Sequence, residues 1–251
     1  MINKLKIPLI AIAVLALGII IYPKPPHVNG SALLRKVLRA QQKVCYGALQ
    51  EHTTVILDRK IRSTIYTKND FYEITKSTDI EPLILRNYIP LVEGQDRIAG
   101  RETWILRLKP RVKQMPWKQI WVDKHKYVIL ASRDWTAYNV VKRSMKTVSI
   151  SFEGGSLRKI KSGKNRPTSK CDIPKPSYIP HGFVPVSADK DTMVYSDGLY
   201  SISITRSNKF TPQKKVALDC GQGLIFSTGR YTVVADLPAD KIERIAHSIA
   251  P

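Results

Sequence analysis

Residues Met193 to Thr205 read MVYSDGLYSISIT and predict a β-hairpin. Apolar residues lead into Ser196-Asp197-Gly198, and Asp-Gly between apolar runs indicates a hairpin because glycine accepts the positive φ of tight turns. After the turn the pattern alternates, so Tyr200, Ile202 and Ile204 share one face. We expect that face to lie against a helix. A half-buried hairpin by itself indicates no function, so the function has to be read from the rest of the chain.

The charge of the chain indicates an anionic partner or surface. The 251 residues include 41 Lys and Arg against 20 Asp and Glu, a net charge of +21, with 43% hydrophobic residues. Such an excess is typical of proteins that meet nucleic acid, anionic lipid, lipopolysaccharide or an acidic protein segment. The basic residues are spread along the whole length instead of clustering with aromatic residues on one module. We therefore expect no nucleic-acid partner.

The N-terminus predicts export. Residues 1–6 carry two lysines, and residues 7–22 (IPLIAIAVLALGIIIY) carry no charge, as in a signal sequence. Residues 1–24 are then either a signal anchor or a signal peptide cleaved after Gly18 or Gly30. No cysteine follows the apolar run, which excludes a lipoprotein signal. We expect an extracytoplasmic protein anchored in the membrane by residues 7–22.

The middle of the chain predicts one helix followed by many strands. Ser31 is a candidate N-cap for a helix whose apolar stripe includes Leu33, Leu34 and Val37. Short polar turns separate the strands that follow, which favours an antiparallel meander. The predicted strands are Thr53–Leu57, Ile61–Thr67, Phe71–Thr75, Thr103–Leu108, Lys118–Val122, Tyr127–Arg133 and Met145–Phe152. Residues 94–101, GQDRIAGR, are predicted to be a turn-rich connection. The fold class is therefore α+β, with a curved antiparallel sheet wrapped over a helix.

Residues 154–170 predict a boundary between two domains. They are basic and rich in glycine, with few residues that could enter a core. A first domain then spans residues 31–153 and a small α+β domain spans residues 171–251. The small domain contains the opening hairpin, further short strands and a C-terminal helix over residues 236–249, in which Pro238 suits the first turn.

The sequence carries no pattern of catalytic or metal-binding residues. The five histidines are scattered, and none stands at a metal-ligand spacing from another histidine or a cysteine. There is no nucleophile elbow, phosphate-binding loop or zinc-protease motif. We therefore expect a protein that is not an enzyme and that needs no cofactor.

Aromatic residues suggest where a ligand would bind. Six aromatic residues fall on or near the second half of the predicted sheet, where they either pack in the core or line an apolar groove: Trp104, Trp117, Trp121, Trp135, Tyr127 and Tyr138. The candidates for the groove are Trp104, Trp117, Trp121 and Tyr127. A groove with a basic rim would suit an acyl chain with an anionic head group or an acidic peptide.

The three cysteines predict at most one disulfide within the chain. An exported protein can form disulfides, and Cys171 and Cys220 fall in the same C-terminal region. We predict that these two pair. Cys45, at the end of the first helix, is then a small buried thiol.

Three groups of motifs resemble the MucB/RseB family of periplasmic regulators of the sigma-E envelope-stress response. The first is Leu33–Gln42 with Tyr46-Gly47, which is similar to the family's opening helix and strand entry. The middle and C-terminal stretches are DRIAGR at 96–101, LRLKPR at 106–111, IWVD at 120–123, PHGF at 180–183, VYSDGLYSISI at 194–204 and YTVVADLP at 231–238. The YSDGL string is the most specific of them.

The resemblance implies both a fold and a role. It implies an N-terminal domain over 31–153 similar to the lipoprotein carriers LolA and LolB, with a curved half-barrel sheet. The implied activity is binding of the extracytoplasmic domain of an anti-sigma factor, whose proteolysis is thereby modulated, with a lipid, lipopolysaccharide or lipoprotein as the releasing signal. Ser196, Asp197, Gly198 and Leu199 are candidates for contact with that partner. The alternative is a periplasmic carrier of lipid or lipoprotein.

Overall fold

The structure is a computed structural model that describes residues 28–56, 59–69, 71–73, 80–152, 158–160, 171–206, 218–219, 223–228 and 230–249. The helices in these residues are α1 (Gly30–Gln41), α2 (Ile80–Asn87) and α3 (Ala239–His247). The strands of the first half are β1 (Tyr46–Ile56), β2 (Arg59–Asn69), β3 (Phe71–Glu73), β4 (Tyr88–Ile98), β5 (Arg101–Pro110), β6 (Trp117–Asp123), β7 (Ile129–Trp135), β8 (Val141–Ser151) and β9 (Arg158–Ile160). Those of the second half are β10 (Val184–Ala188), β11 (Thr192–Ser196), β12 (Ser201–Arg206), β13 (Leu218–Asp219), β14 (Leu224–Ser227) and β15 (Tyr231–Ala235).

Helix α1 forms where its apolar stripe predicts, but it begins two residues earlier than the proposed cap allows. Asn29 is the N-cap, and its side-chain oxygen accepts hydrogen bonds from the backbone N–H groups of Ser31 (3.0 Å) and Ala32 (3.1 Å). The prediction of Ser31 as the cap was wrong because Asn29 already satisfies these N–H groups. Leu33, Leu34 and Val37 are buried against the sheet, as the stripe indicates.

The first half of the chain builds an open antiparallel sheet in the order β2-β1-β8-β7-β6-β5-β4. Each strand pairs with its neighbour in sequence, except that β1 returns to β8. The sheet curls, because Cα atoms of β4 come within 8 Å of those of β8 although three strands lie between them. Bulges in several strand pairs accompany this curl, which is their usual effect.

The prediction of a turn-rich connection over residues 94–101 was wrong. Most of it is the end of β4, and the turn itself is only Ala99-Gly100, where φ is 49° and 73°. The strand tolerates Gly94 because a bulge between Val92 and Gly94 accommodates it. A glycine and two charges therefore mark an exposed, bulged strand here and not a loop.

The second half builds a sheet in the order β10-β11-β12-β15-β14-β13, with α3 packed on it. The predicted hairpin is β11 and β12, joined by residues 197–200. Tyr200, Ile202 and Ile204 are all buried, and Ile202 and Ile204 have no exposed surface. They join the cluster that contains Ile242 and Ile245 of α3, which confirms the predicted face. The α+β fold class is confirmed.

One buried apolar cluster passes through both sheets. It includes Leu33 of α1, Leu106 of β5 and Ile120 of β6 in the first half, and Ile204 and Ile245 in the second. The strands of the two sheets come from residues 46–151 and 184–235, on either side of the predicted boundary. Within that boundary, β9 pairs in parallel with β3. Residues 154–157 and 161–170 lie outside the described residues, so the boundary stays a prediction.

The predicted anchor, residues 7–22, also lies outside the described residues. Among the residues that are described, no helix is long and apolar enough to cross a membrane.

Candidate binding cleft between the two sheets

A cleft of about 740 Å³ lies where the ends of β7 and β8 face the second sheet. Most of its lining comes from the β7–β8 connection, the start of β8 and the segment from β15 into α3, with single residues from elsewhere in the chain. Its lining residues are Val55, Pro116, Asp134, Trp135, Thr136, Ala137, Tyr138, Val140, Val141, Lys142, Arg143, Tyr200, Leu224, Asp236, Leu237, Pro238, Ala239 and Asp240. The cleft is therefore mainly apolar, with a small set of charged groups.

Those charged groups form a chain of ion pairs that joins the two sheets. Arg143 of β8 donates to Asp134 of β7 at 3.0 Å and also to Asp236, which follows β15. Lys142 lies 2.8 Å from the other oxygen of Asp236, and Lys118 lies 3.0 Å from Asp134. Both carboxylates are mostly buried, with side chains 13% and 10% exposed. The arrangement nearly neutralises the charged part of the cleft and fixes Asp236 against the first sheet.

The pKa values follow from this geometry. Burial opposes the charged form of Arg143, but the nearby Asp236 and Asp134 outweigh it, so the pKa of Arg143 is raised. Burial, together with Asp134 and Asp236, raises the pKa of Tyr200 well above its usual value. Tyr200 therefore keeps its proton and remains a hydrogen-bond donor.

Tyr200 lines this cleft, and its hydroxyl oxygen, which is itself buried, has no hydrogen-bond partner. Most buried polar groups in proteins are paired, because an unpaired one costs about 1–3 kcal/mol. The indole N–H of Trp135, another residue of the lining, is also buried and unpartnered. Two unused donors thus belong to residues of one cleft.

The rim of the cleft exposes apolar side chains on a connection held by internal hydrogen bonds. Tyr138 is 71% exposed and Val140 is 58% exposed. Thr136 holds the connection, since its hydroxyl accepts from the N–H groups of both residues and its own N–H donates to the carbonyl of Val140 at 2.8 Å. Asn139, with φ 61°, accepts the indole N–H of Trp117 at 3.0 Å. The rim is therefore preformed.

A second cavity, of about 610 Å³, lies between α1, α2 and the first sheet. It is lined by Leu34, Val37, Leu38, Arg39, Gln41, Gln42, Ile80, Glu81, Pro82, Ile84, Leu108, Lys118, Ile120, Ile129, Gly198 and Leu199. Its charged lining residues are Arg39, Glu81 and Lys118, and Lys118 also pairs with Asp134. Its apolar walls and small positive excess are compatible with an acyl chain that carries an acidic head group.

The four predicted groove residues are not brought together. Trp104 and Tyr127 lie against the cluster below α1, where Lys124 covers Trp104 and Lys36 covers Tyr127. The strand register places Trp117 and Trp121 on the opposite face of the sheet from Ile120.

On that opposite face, arginines cover both tryptophans. Trp117 stacks on Trp135 with ring centroids 4.7 Å apart, and Arg107 lies over it at 4.3 Å. Arg133 lies over Trp121 at 5.0 Å. None of the four predicted residues lines either cavity.

The four predicted contact residues of the hairpin turn lie in different environments. The carboxylate of Asp197 is 2% exposed and accepts hydrogen bonds from the Tyr88 hydroxyl and from the N–H groups of Leu199 and Tyr200. Ser196 accepts from the N–H of Gly198 within the turn. Asp197 therefore presents no accessible carboxylate in this arrangement, whereas Gly198 and Leu199 line the second cavity.

Gly198 allows the turn to approach α2 closely. Its φ is 100°, and a Cβ there would lie 2.7 Å from Cγ1 and 2.9 Å from the backbone nitrogen of Ile84. Only glycine fits both the angle and the space. The Asp-Gly pair thus docks the second sheet on the first half of the chain.

The remaining predicted site residues concern cysteines and metals. In the structure Cys45 is a buried free thiol and Cys171 is a half-buried free thiol. Cys220 lies outside the described residues, so its pairing with Cys171 stays a prediction. In the described part of the chain, no group of three or more His, Cys, Asp and Glu side chains is placed to hold a metal ion.

Comparisons with known proteins identify the fold. No protein-family model matches the chain, and no curated protein matches it. Among solved structures, it is similar to the Pseudomonas aeruginosa MucA/MucB complex, with a TM-score of 0.62 and 14% identity over 89% of this chain and 99% of that one. MucB in complex with MucA(peri) gives a TM-score of 0.61 at 14% identity, covering 88% and 98%. MucB alone gives 0.53 at 15% identity, with the same coverage. The chain has a MucB-like fold over nearly its whole length, as the sequence resemblance indicated.

Sequence reasoning missed the cleft itself. Asp134, Arg143 and Asp236 lie far apart in sequence, and nothing local marks them as partners. Tyr200 was predicted only as a core residue of the hairpin, because its place in the alternation is that of any buried aromatic residue. Its missing hydrogen-bond partner becomes visible only in three dimensions.

Proposed function

We propose that this protein is a regulatory binding protein outside the cytoplasm. It holds a segment of the extracytoplasmic domain of a membrane-anchored anti-sigma factor and thereby modulates the proteolysis of that factor. The MucB-like fold supports this role, since MucB has been solved in complex with MucA(peri). The role is one of binding, without catalysis.

The observation that carries the proposal is the unpartnered hydroxyl of Tyr200 in the cleft. An extended peptide brings a carbonyl acceptor at every residue, so it can accept from this hydroxyl without any special side chain once the cleft lining shifts to expose the buried oxygen. The exposed Tyr138 and Val140 at the rim would cover apolar side chains of the same peptide. The internally paired Asp134, Arg143 and Asp236 make no demand for a charged ligand.

The test compares Tyr200→Phe with the unchanged protein. We expect Tyr200→Phe to leave the free protein at least as stable, because it removes an unpaired buried hydroxyl. Binding of the anti-sigma factor's extracytoplasmic segment should weaken roughly three- to tenfold, the loss expected for one hydrogen bond. Titration calorimetry measures the binding and urea unfolding measures the stability. Tyr178→Phe is the matched control, since Tyr178 does not line the cleft.

The partner is identified by affinity capture from detergent-solubilised membranes with the full chain as bait. We expect an anti-sigma factor among the captured proteins, and less of it with Tyr200→Phe than with Tyr178→Phe. Capture of no anti-sigma factor, or equal capture by both variants, would contradict the proposal.

A second candidate function is that of a carrier for lipid or lipoprotein, and the second cavity favours it. Mass spectrometry of the purified protein should then show a bound acyl species. Leu38→Asp places a charge in the cavity lining and should remove that species, whereas Leu91→Asp, on a half-exposed strand position, should not. A protein that carries no acyl species in either form would argue against this function. Lipopolysaccharide or lipid as a releasing signal is tested by adding it to the preformed complex.

We propose that residues 7–22 place the protein at the outer face of the inner membrane, in the periplasm. The support is that the uncharged run follows two lysines and precedes a proline-rich segment. N-terminal sequencing of the mature protein tests it: a start at Met1 or Ile2 indicates an anchor, whereas a start after Gly18 or Gly30 indicates a cleaved signal peptide.

A further inference from the structure

Strand β2 is the outer strand of the first sheet, and it is unusually exposed. Within the described residues it pairs with β1 and with no other strand. Its first eight residues, Arg59 to Tyr66, are all exposed. An outer strand of this kind leaves alternate backbone N–H and C=O groups available to another chain.

The two faces of β2 differ in chemistry. Ile61 and Ile65 project on one face and are 53% and 46% exposed. Lys60, Arg62 and Lys68 alternate with them on the other face, and β2 contains no acidic residue. Arg59 shares the face of the isoleucines and Tyr66 shares the face of the cations. The strand therefore offers a mainly apolar row and a mainly cationic row on either side of its backbone.

Charge decides which kind of strand can pair there. A second copy of β2 would bring two cationic rows together, and like charges on paired strands are destabilising. A strand with acidic residues opposite Lys60 and Arg62 and apolar residues beside Ile61 and Ile65 matches both rows. Because side chains alternate along a strand, those acidic and apolar residues must also alternate.

We propose that the edge of β2 binds an extended protein segment with alternating acidic and apolar residues, which adds to the sheet as a further strand. Backbone hydrogen bonds supply much of the affinity and the two rows select the sequence. This site is distinct from the cleft. Ile61 pairs with Thr54, and Thr54 pairs with Arg143 on its other side, so the apolar row lies on the same face of the sheet as the ion pairs. It does not depend on the proposed function.

The test uses the full chain and a synthetic peptide of alternating Glu and Val, 11 residues long to match β2. The double variant Lys60→Glu/Arg62→Glu should weaken binding roughly tenfold, because two attractive cross-strand pairs become repulsive. Lys175→Glu/Lys190→Glu changes the net charge equally at exposed positions outside the first sheet and is the control. It should weaken binding less than about twofold, since salt screens distant surface charges.

The apolar row and the backbone are tested separately. Ile61→Ser/Ile65→Ser should weaken binding roughly threefold or more, whereas Val186→Ser, on exposed strand β10, should not. Peptides N-methylated at alternate residues, in both frames, remove the N–H groups of one edge at a time. At least one frame should abolish binding if the peptide pairs as a strand.

Three results would overturn the proposal. Equal weakening by the two charge-reversal variants would mean that only net charge matters. Unchanged binding of both methylated peptides would exclude strand pairing. Binding of the protein to phosphatidylglycerol vesicles that depends on Lys60 and Arg62, with no binding of the peptide, would show that β2 meets a lipid surface instead.

Discussion

The hydroxyl of Tyr88 donates a 2.5 Å hydrogen bond to the carboxylate of Asp197 across the junction of the two sheets. Both residues are buried, at 1% and 2% exposure. Asn87, beside Tyr88, donates to the backbone carbonyls of Asp197 (2.8 Å) and Gly182 (2.9 Å). The turn of the hairpin is thus buried where the two sheets meet, and its hydrogen bonds fix the orientation of the second sheet relative to the first.

Tyr88→Phe should destabilise the protein by about 1–3 kcal/mol, because it leaves a buried carboxylate with one donor fewer. Urea unfolding measures the loss. Tyr178→Phe is the control, since the Tyr178 ring is half-buried and packs under Arg244. A loss for Tyr88→Phe no larger than for the control would mean that the hydrogen bond contributes little.

Asp197 should make stability fall as the pH rises. Burial raises the pKa of Asp197 more than the hydrogen bonds from Tyr88, Tyr200 and Leu199 lower it. The folded protein therefore binds the proton more tightly than the unfolded chain, so stability decreases between the ordinary aspartate pKa and the raised pKa. Asp197→Asn keeps the shape of the group and removes this titration. Urea unfolding across acidic pH should show a gain of the variant relative to the unchanged protein as the pH rises through that window.

Asp123 should have the opposite effect on how stability depends on pH. Burial opposes its charge, but Arg101, at 2.5 Å, and the N–H groups of Lys126 and His125 outweigh burial and lower the pKa of Asp123. Its stabilisation is then complete above the ordinary aspartate pKa and is lost as the pH falls through the lowered pKa. Asp123→Asn should cost more stability at neutral pH than in strong acid. A variant whose loss does not change with pH would contradict this assignment.

Arg143→Ala should destabilise the junction by about 2 kcal/mol, because Asp134 and Asp236 remain largely buried after losing the cation between them. Arg143→Lys should recover only part of the loss, since lysine cannot hold two carboxylates in the fork of a guanidinium group. A double-mutant cycle with Asp236→Asn isolates the pair, and additive losses would show that Arg143 and Asp236 are not coupled.

Thiol counting tests the pairing of Cys171 with Cys220. The chain has three cysteines, so one free thiol should be found under denaturing, non-reducing conditions. Reduction should then lower stability by about 3 kcal/mol, as is typical of a disulfide. Three free thiols would show that Cys171 and Cys220 do not pair.

Local patterns predicted much of the fold. The stripe of Leu33, Leu34 and Val37 predicts α1, and the alternation of Tyr200, Ile202 and Ile204 predicts the buried face of β12. Both succeed because burial on one face repeats with the period of the element. Helix α2 was missed, because eight residues with a proline in the third position give no clear period.

The candidate site was much less predictable. Trp104 and Trp121 lie on the adjacent strands β5 and β6 but project to opposite faces of the sheet. This follows from the exact register of the two strands and not from composition. The cleft depends on Asp236 reaching Arg143 across 93 residues, and no pattern within either strand encodes that contact. Sites made between distant elements require the packing to be known first.

The buried apolar cluster that passes through both sheets has a consequence for how the chain folds during synthesis. Leu106 and Ile120 are enclosed in one cluster with Ile204, Ile242 and Ile245, which lie in the last third of the chain and leave the ribosome late. Until those residues arrive, the first sheet has no cover for part of its apolar face. We expect the newly synthesised chain to depend on chaperones until its final helix docks, and truncation before α3 to yield a product that proteases remove.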